Sequence, residues 1–408
     1  MSDHVITAGI MPLLDSALLV VAREKGFAEA EGIELRLVRE ISWANMRDRM
    51  AVGHFDVAHM LAPMPIACNL GLTPLAVPTH VPMALGLGGN AVTVSNALWR
   101  RMEDAGAKPD LDPALAGRAL RAVLRERAKA GDPVTRFAVV HPHSGHGYEL
   151  RYWLAACGID PERDVEIVIL PPPLMADALG AGHIDGYCAG EPWNSIAVAS
   201  GVGHIATVKA KIWRLSPEKV LGVAAGWAAE NPHALDALLR ALYGAAEWCG
   251  NPGNRADLAA LMAEPDYVDR PAEWLLPALT GDIPTGSGNS VLVPDFLVPH
   301  AKGATFPWKS HALWFYSQMV RWGQIPASDQ NAAIARETYR PDLYRSALKL
   351  LGVALPGANA KVEGALTEAT PVGSAGASLV LGPDGFFDGG VFDPGSLEAY
   401  IAGQTGRS

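Results

Sequence analysis

The chain has 408 residues, of which 49% are hydrophobic and 19% charged, and a formal net charge of −10. That length is too great for one simple core and predicts two lobes of a globular α/β protein. The sequence has no Lys/Arg run, which argues against direct contact with nucleic acid or an anionic membrane, and no uncharged apolar run long enough to span a bilayer.

Only Met1-Ser2-Asp3-His4 precede "VITAGI", the first predicted strand. No basic segment leads it, and Asp15 interrupts the apolar run from Ile10 to Ala22, the reverse of a secretory signal. The expectation is a cytoplasmic protein. Cys68, Cys157, Cys188 and Cys249 show no paired spacing and read as buried thiols rather than disulfide or zinc ligands.

Strand and helix signals then alternate. A helix capped by Asp15 or Ser16 runs through "SALLVVAREKGFAEAEG" and stops at Gly32. "IELRLV" is a strand, Ser42 to Val52 a helix and "FDVAHML" a strand, and two extended segments follow in "PLAVPTHV" and "MALGLGGNAVTVS". A second β–α series follows: helix "PALAGRALRAVLRERAKAG", strand "TRFAVVHP", helix "SGHGYELRYWLAACG", strand "VEIVILPP", helix "LMADALGAGH" and strand "IDGYCAG". From about Gly203 the chain passes back, through "HIATVK" and the strand of "KVLGVAAGWAAENP", into a helical region reaching Leu351. The Gly-rich tail ends in "FFDGGVFDPGSLEAYIAG", apolar enough to dock. This order predicts two doubly wound α/β lobes, residues 1–95 with 205–408 and residues 96–204, with ligand sites at the C-terminal strand ends.

Four segments carry candidate site residues. Trp43 follows Ser42 at a helix start, where backbone N–H groups favour an anion; the alternative is a core aromatic. In "HPHSGHG", His141, His143 and His146 invite a metal reading, but no cysteine accompanies them and the nearest carboxylate is Glu149. A glycine-rich helix start with His146 aimed at an anion fits better, and H-S-G-H-G is not a hydrolase elbow. Gly190, in "GEPW", allows close approach of a ligand to the backbone. Cys188 lies inside a strand without a neighbouring cation, so packing is expected rather than nucleophilic catalysis. Lys219 precedes an apolar strand and reads either as an exposed lysine or as the point charge of an anion site.

Taken together, "SWANMRDRM", "GHFDVAHMLAPMP", "GNAVTVS", "GHGYELRYWLAACG", "DGYCAGEPWN", "SPEKVLGV" and "FPWKSHALWFYSQMVRWGQIP" resemble the nitrate/bicarbonate-binding proteins of ABC transport systems, in order over nearly the whole chain. The resemblance implies a type II periplasmic-binding-protein fold, with two lobes, a hinge of two crossings and a ligand between them. It implies nitrate or nitrite contacts at Trp43, Asn90, His146, Gly190 and Lys219, with Asn90 a shorter amide than the family's Gln. It implies no enzyme activity, cofactor or metal. Bicarbonate-binding relatives have a carboxylate and calcium where Lys219 stands, so a lysine points to a monovalent anion. A set of donors suits nitrate, which accepts hydrogen bonds and cannot donate them.

With the short N-terminus, the chain most resembles the NasS-type cytoplasmic nitrate sensors. That implies a partner, an RNA-binding antiterminator of the ANTAR (NasT-like) type, released when the anion closes the lobes. The alternatives are the substrate-binding component of a nitrate ABC transporter and an enzyme on the same fold.

Overall fold

A computed structural model describes residues 4–286 and 288–405. The chain lays down β1 (His4–Ile10), β2 (Ile33–Arg39), β3 (Val57–Leu61) and β4 (Thr79–Ala84), then crosses to a second lobe at residues 85–89. There it forms β5 (Asn90–Ser95), β6 (Thr135–Val139), β7 (Val165–Ile169), β8 (Gly186–Gly190) and β9 (Gly203–Val208). It returns through residues 209–218 into β10 (Lys219–Ala224).

Lobe I has the strand order β2-β1-β3-β10-β4, and lobe II the equivalent order β7-β6-β8-β5-β9. In each, the first three strands are parallel, and the strand arriving from the other lobe inserts antiparallel beside the third. That insertion shifts the predicted lobe limits. β5 and β9 hydrogen-bond within the second sheet, so residues 90–95 and 205–208 belong to lobe II, not lobe I. The expected boundaries at 95 and 205 assign both strands to lobe I, and sequence alone cannot tell which sheet a strand joins.

The core strands are buried on both faces, as parallel sheets covered by helices require. Helix α1 (Ala17–Glu24) ends at Lys25, because Gly26 takes a left-handed conformation (φ 78°) that splits the predicted longer helix. Helix α2 (Trp43–Ala51) follows β2, and α3 (Gly145–Ala156) follows β6.

The C-terminal third ties the lobes together. Helix α4 (Lys309–Arg321) is buried from Ser310 to Met319, and its Phe315 meets Tyr148 of α3 with ring centroids 6.3 Å apart. The tail docks as its apolar content predicts. Phe386 stacks on Trp213 of the return crossing at 4.6 Å, with backbone bonds Arg214 N to Gly385 O (3.1 Å) and Phe387 N to Ile212 O (2.9 Å). Among the described residues no helix is long and apolar enough to cross a membrane.

Candidate functional site

The first helical turn of α3 builds one wall. Ser144 caps it, accepting from Gly147 N at 3.0 Å and donating to His141 O at 2.7 Å. This splits the three histidines. His141 Nδ1 accepts from His143 N (3.1 Å) and His143 Nδ1 meets Tyr148 Oη (3.2 Å), whereas His146 points to the return crossing, its Nδ1 3.3 Å from Glu218 Oε1. Among the described residues no group of three or more His, Cys, Asp and Glu is arranged to hold a metal ion.

The strand register builds a second wall. Asn90 pairs directly with Gly190 across β5 and β8. A Cβ at Gly190 would lie 3.4 Å from both Asn90 Oδ1 and Asp15 Oδ2, so its absence leaves room between the lobes at this point. Two hydrogen bonds join the lobes beside it, Leu14 N to Glu191 O (2.9 Å) and Trp193 Nε1 to Pro12 O (3.1 Å).

Lobe I supplies the third wall. Ser42 sits at the N-cap of α2 without making a side-chain capping bond. The Trp43 indole that follows is buried, with the Lys219 ammonium 5.6 Å from its ring centroid. Lys219, at the start of β10, is buried and donates to Asp15 Oδ2 (2.8 Å) and Glu218 Oε1 (2.6 Å).

The five residues expected from sequence are thus brought together around one buried cluster: Trp43 beside Lys219, Lys219 beside Asp15 and Glu218, Asp15 beside Gly190 and Asn90, and Glu218 beside His146. Trp43, Asn90, His146 and Lys219 are 0–2% exposed, closed off from solvent in this structure. Among the described residues, Trp43 Nε1, Asn90 Nδ2 and both ring nitrogens of His146 have no hydrogen-bond partner. Leaving such a group buried and unsatisfied costs about 1–3 kcal/mol, and here several converge.

Four further residues, Asp15, Glu218, Lys209 and Glu149, complete the cluster and were not singled out from sequence as site residues. Asp15 was assigned to capping α1; that helix has no side-chain cap, and Asp15 instead pairs with Lys219 and lies 3.0 Å from His59 Nε2. Glu218 bridges Lys219 and Lys209. Lys209 in turn lies 2.9 Å from Glu149 Oε1. Glycine at 145 is needed for this arrangement, because a Cβ there would sit 2.5 Å from Glu218 Oε2. The E-K pair of "SPEKV" was the one local signal for a charged network. Nothing near Asp15 in sequence points across more than two hundred residues to Lys219.

The protonation states follow from these contacts. Burial raises the Asp15 pKa, but Lys219 and His59 outweigh it and hold the carboxyl at about 2. Burial likewise acts on Glu218 and is overcome by His146, Lys209 and Lys219, leaving it well below the carboxylate range. Lys219 is raised despite burial, because Asp15 and Glu218 face it. Glu149 goes the other way, pushed to about 8 by burial and by Glu218 against the pull of Lys209. Burial, partly offset by Glu218 and reinforced by Lys219 and Lys209, drives His146 down to about 3. Cys188 is raised far above a reactive range by burial, with Glu149 and Glu218 adding to it, so its thiol stays protonated and is no nucleophile.

This corrects one inference from the resemblance. Lys219 is a cation in the cleft, but its charge is already met by two carboxylates, so it is not by itself an unmatched attraction for an anion.

Comparison with known proteins finds both nitrate and bicarbonate transport proteins, among them the bicarbonate-binding protein CmpA of Synechococcus, 30% identical over 418 residues and covering 97% of this chain and 85% of that one. Residues 2–263 match the NMT1-like family. The chain is 34% identical over 407 residues to the nitrate/nitrite binding protein NrtA of Synechococcus elongatus, covering 98% of this chain and 85% of that one. It is 37% identical over 349 residues to the nitrate import ATP-binding protein NrtC of Synechocystis, covering 84% of this chain but only 50% of that protein. The crystal structure of the periplasmic nitrate-binding protein NrtA from Synechocystis superposes with a TM-score of 0.84 at 27% identity, over 98% of this chain and 97% of that one.

Proposed function

Because the chain belongs to the NMT1-like family and has a periplasmic-binding-protein-like fold, we propose that it binds nitrate between its lobes as the solute-binding component of an ABC importer. The observation that carries this reading is the convergence of buried donors without partners, Trp43 Nε1, Asn90 Nδ2 and the His146 ring, beside the Lys219 ammonium. Nitrate offers acceptor oxygens to all of them and brings no hydrogen that would need an acceptor. Nitrite shares that property. Bicarbonate carries a hydroxyl as well, and Asn90 Oδ1, also without a partner, could accept from it, so titration with each anion has to separate the two.

NrtA and NrtC are described as nitrate-binding and nitrate-import proteins and CmpA as bicarbonate-binding, which supports transport over the sensor reading drawn from the sequence. The partners this reading calls for are a membrane permease and its ATPase rather than an ANTAR antiterminator. It also calls for work outside the cytoplasmic membrane, whereas the cytoplasmic expectation goes with the sensor reading; fractionation of cells producing the protein separates the two. An enzyme on this fold would need a reactive group in the cleft, and the Cys188 thiol is held protonated.

Calorimetric titration with nitrate, nitrite and bicarbonate in separate runs tests the proposal. Saturable binding of one nitrate per chain is the expected result. Bicarbonate binding in its place, or no anion binding, would overturn it.

A further inference from the structure

A monovalent anion placed in this cluster meets no surplus positive charge. Two ammonium groups, Lys209 and Lys219, face two ionised carboxylates, Asp15 and Glu218, in direct ion pairs. With Glu149 protonated the sum of the four is zero, and with Glu149 ionised it is −1. All five side chains are buried, so bulk water and counter-ions do not screen the imbalance. A nitrate ion therefore finds no net positive charge in this network to offset its own.

The groups facing His146 are Asp15 from the turn after β1, Lys209 and Glu218 from the return crossing, Lys219 from β10, and Glu149 from its own helix. Cys188 on β8 and His59 on β3 flank the same cluster. Of these, Asp15 cannot take a proton without giving up Lys219, nor Glu218 without giving up both lysines. His59 Nδ1 accepts from Met11 N at 3.4 Å, with Nε2 3.0 Å from Asp15 Oδ1, which fixes a neutral tautomer. His146 differs, because neither of its ring nitrogens has a hydrogen-bond partner among the described residues and one lies 3.3 Å from Glu218.

Resting on the nitrate reading above, we propose that nitrate binds together with one proton taken from solvent, and that His146 carries it as an imidazolium between Glu218 and the anion. The imidazole gains the proton and nitrate remains the anion, so the site takes up a neutral pair. Without the anion the ring is neutral above about pH 3. A bound nitrate favours the charged ring and moves its pKa upward. Linkage then fixes the sign: between the free and bound pKa values, affinity falls tenfold for each unit rise in pH.

The test is calorimetry of the wild-type protein with sodium nitrate from pH 5 to 9, repeated at each pH in phosphate and in Tris, whose ionisation heats differ. The proposal expects close to one proton taken up per nitrate, and a Kd that weakens about tenfold per pH unit over part of the range. In His146→Gln, which keeps a donor but cannot ionise, uptake and slope should both vanish between pH 5 and 7, where Glu149, held at about 8, is already protonated. If that variant does not fold, ¹⁵N shifts of histidine-labelled wild-type protein answer the same question, since saturation with nitrate at neutral pH should move one imidazole to its charged signature. Tight nitrate binding with no proton uptake and a flat pH profile would overturn this inference and leave the nitrate reading standing. Full uptake in a folded His146→Gln variant would overturn the assignment to His146. No nitrate binding at any pH would overturn the reading and this inference together.

Discussion

Replacing Lys219 with methionine keeps an unbranched stem and removes only the ammonium, which isolates the worth of the buried network. In the native protein Asp15 is held at about 2 against an ordinary 3.8. At about 1.36 kcal/mol per unit, that difference contributes roughly 2.4 kcal/mol of stability. The pKa is depressed on folding, so this contribution is present above pH 4 and is lost as pH falls toward 2. Without Lys219, burial is opposed chiefly by His59, and the pKa of Asp15 rises above its unfolded value. The sign then reverses, and the variant loses stability as pH rises from 4 to 7. Leaving one member of a buried pair alone costs about 3–5 kcal/mol, a large part of a typical total of about 5–15 kcal/mol. Urea unfolding at pH 3, 5 and 7, followed by tryptophan emission, measures this directly. Asp15→Asn combined with Lys219→Met should recover part of the loss, because Glu218 keeps Lys209. A single-variant loss below about 1 kcal/mol at pH 7, or an unchanged pH profile, would refute the reasoning.

Three substitutions address the other walls. Trp43→Phe keeps most of the packing and removes one N–H donor; a hydrogen bond to a charged acceptor is worth about 1.5–3 kcal/mol, so the calorimetric Kd for nitrate should weaken roughly 10- to 100-fold. An unchanged Kd would place the indole outside the contact. Gly190→Ala puts a methyl group 3.3–3.4 Å from Leu13, Asn90 Oδ1 and Asp15 Oδ2, close enough that these side chains must give by a few tenths of an ångström; the melting temperature should fall only slightly while nitrate affinity drops about tenfold or more. Gly145→Ala drives a methyl group to 2.5 Å from Glu218 Oε2 and should cost about 1–3 kcal/mol in urea unfolding, with no loss meaning that Glu218 moves aside freely.

The alternation of elements was legible because period and punctuation are local properties. Gly26 and Gly32 end helices through their own backbones, and Ser144 caps α3 from one residue away. What the sequence could not show is what depends on pairing between distant segments. β5 reads as an apolar strand whichever sheet receives it, and its antiparallel insertion beside β8 is settled only by the packed lobe. Asp15 illustrates the same limit within the site. As an acidic residue ahead of an apolar helix it carries a cap signature, and only folding turns it toward Lys219. The resemblance supplied Trp43, Asn90, His146, Gly190 and Lys219, and the structure gathers them. It did not supply Glu218, Lys209 and Glu149, whose part lies in charge balance and leaves no fixed spacing to read.

The division of the donors between lobes bears on how such a site can respond to an anion. Trp43 and Lys219 belong to lobe I, whereas Asn90, His146 and Gly190 belong to lobe II. Burying the charged network costs several kcal/mol per ion, and pairing returns only part of it, so the closed arrangement is not favoured by its charges alone. A ligand shifts the balance between parted and closed lobes only by the contacts it makes in one state and not the other. An anion that touched the donors of one lobe would bind parted and closed forms alike and close nothing. On the reading proposed here, nitrate spanning Trp43 on one side and Asn90 and His146 on the other would make its full set of bonds only when the lobes meet, so the free energy of those bonds would become the driving force for closure. Removing a donor from either lobe should therefore weaken closure and affinity together, in proportion, whichever lobe it comes from. Small-angle scattering with and without saturating nitrate would detect a variant in which the two come apart.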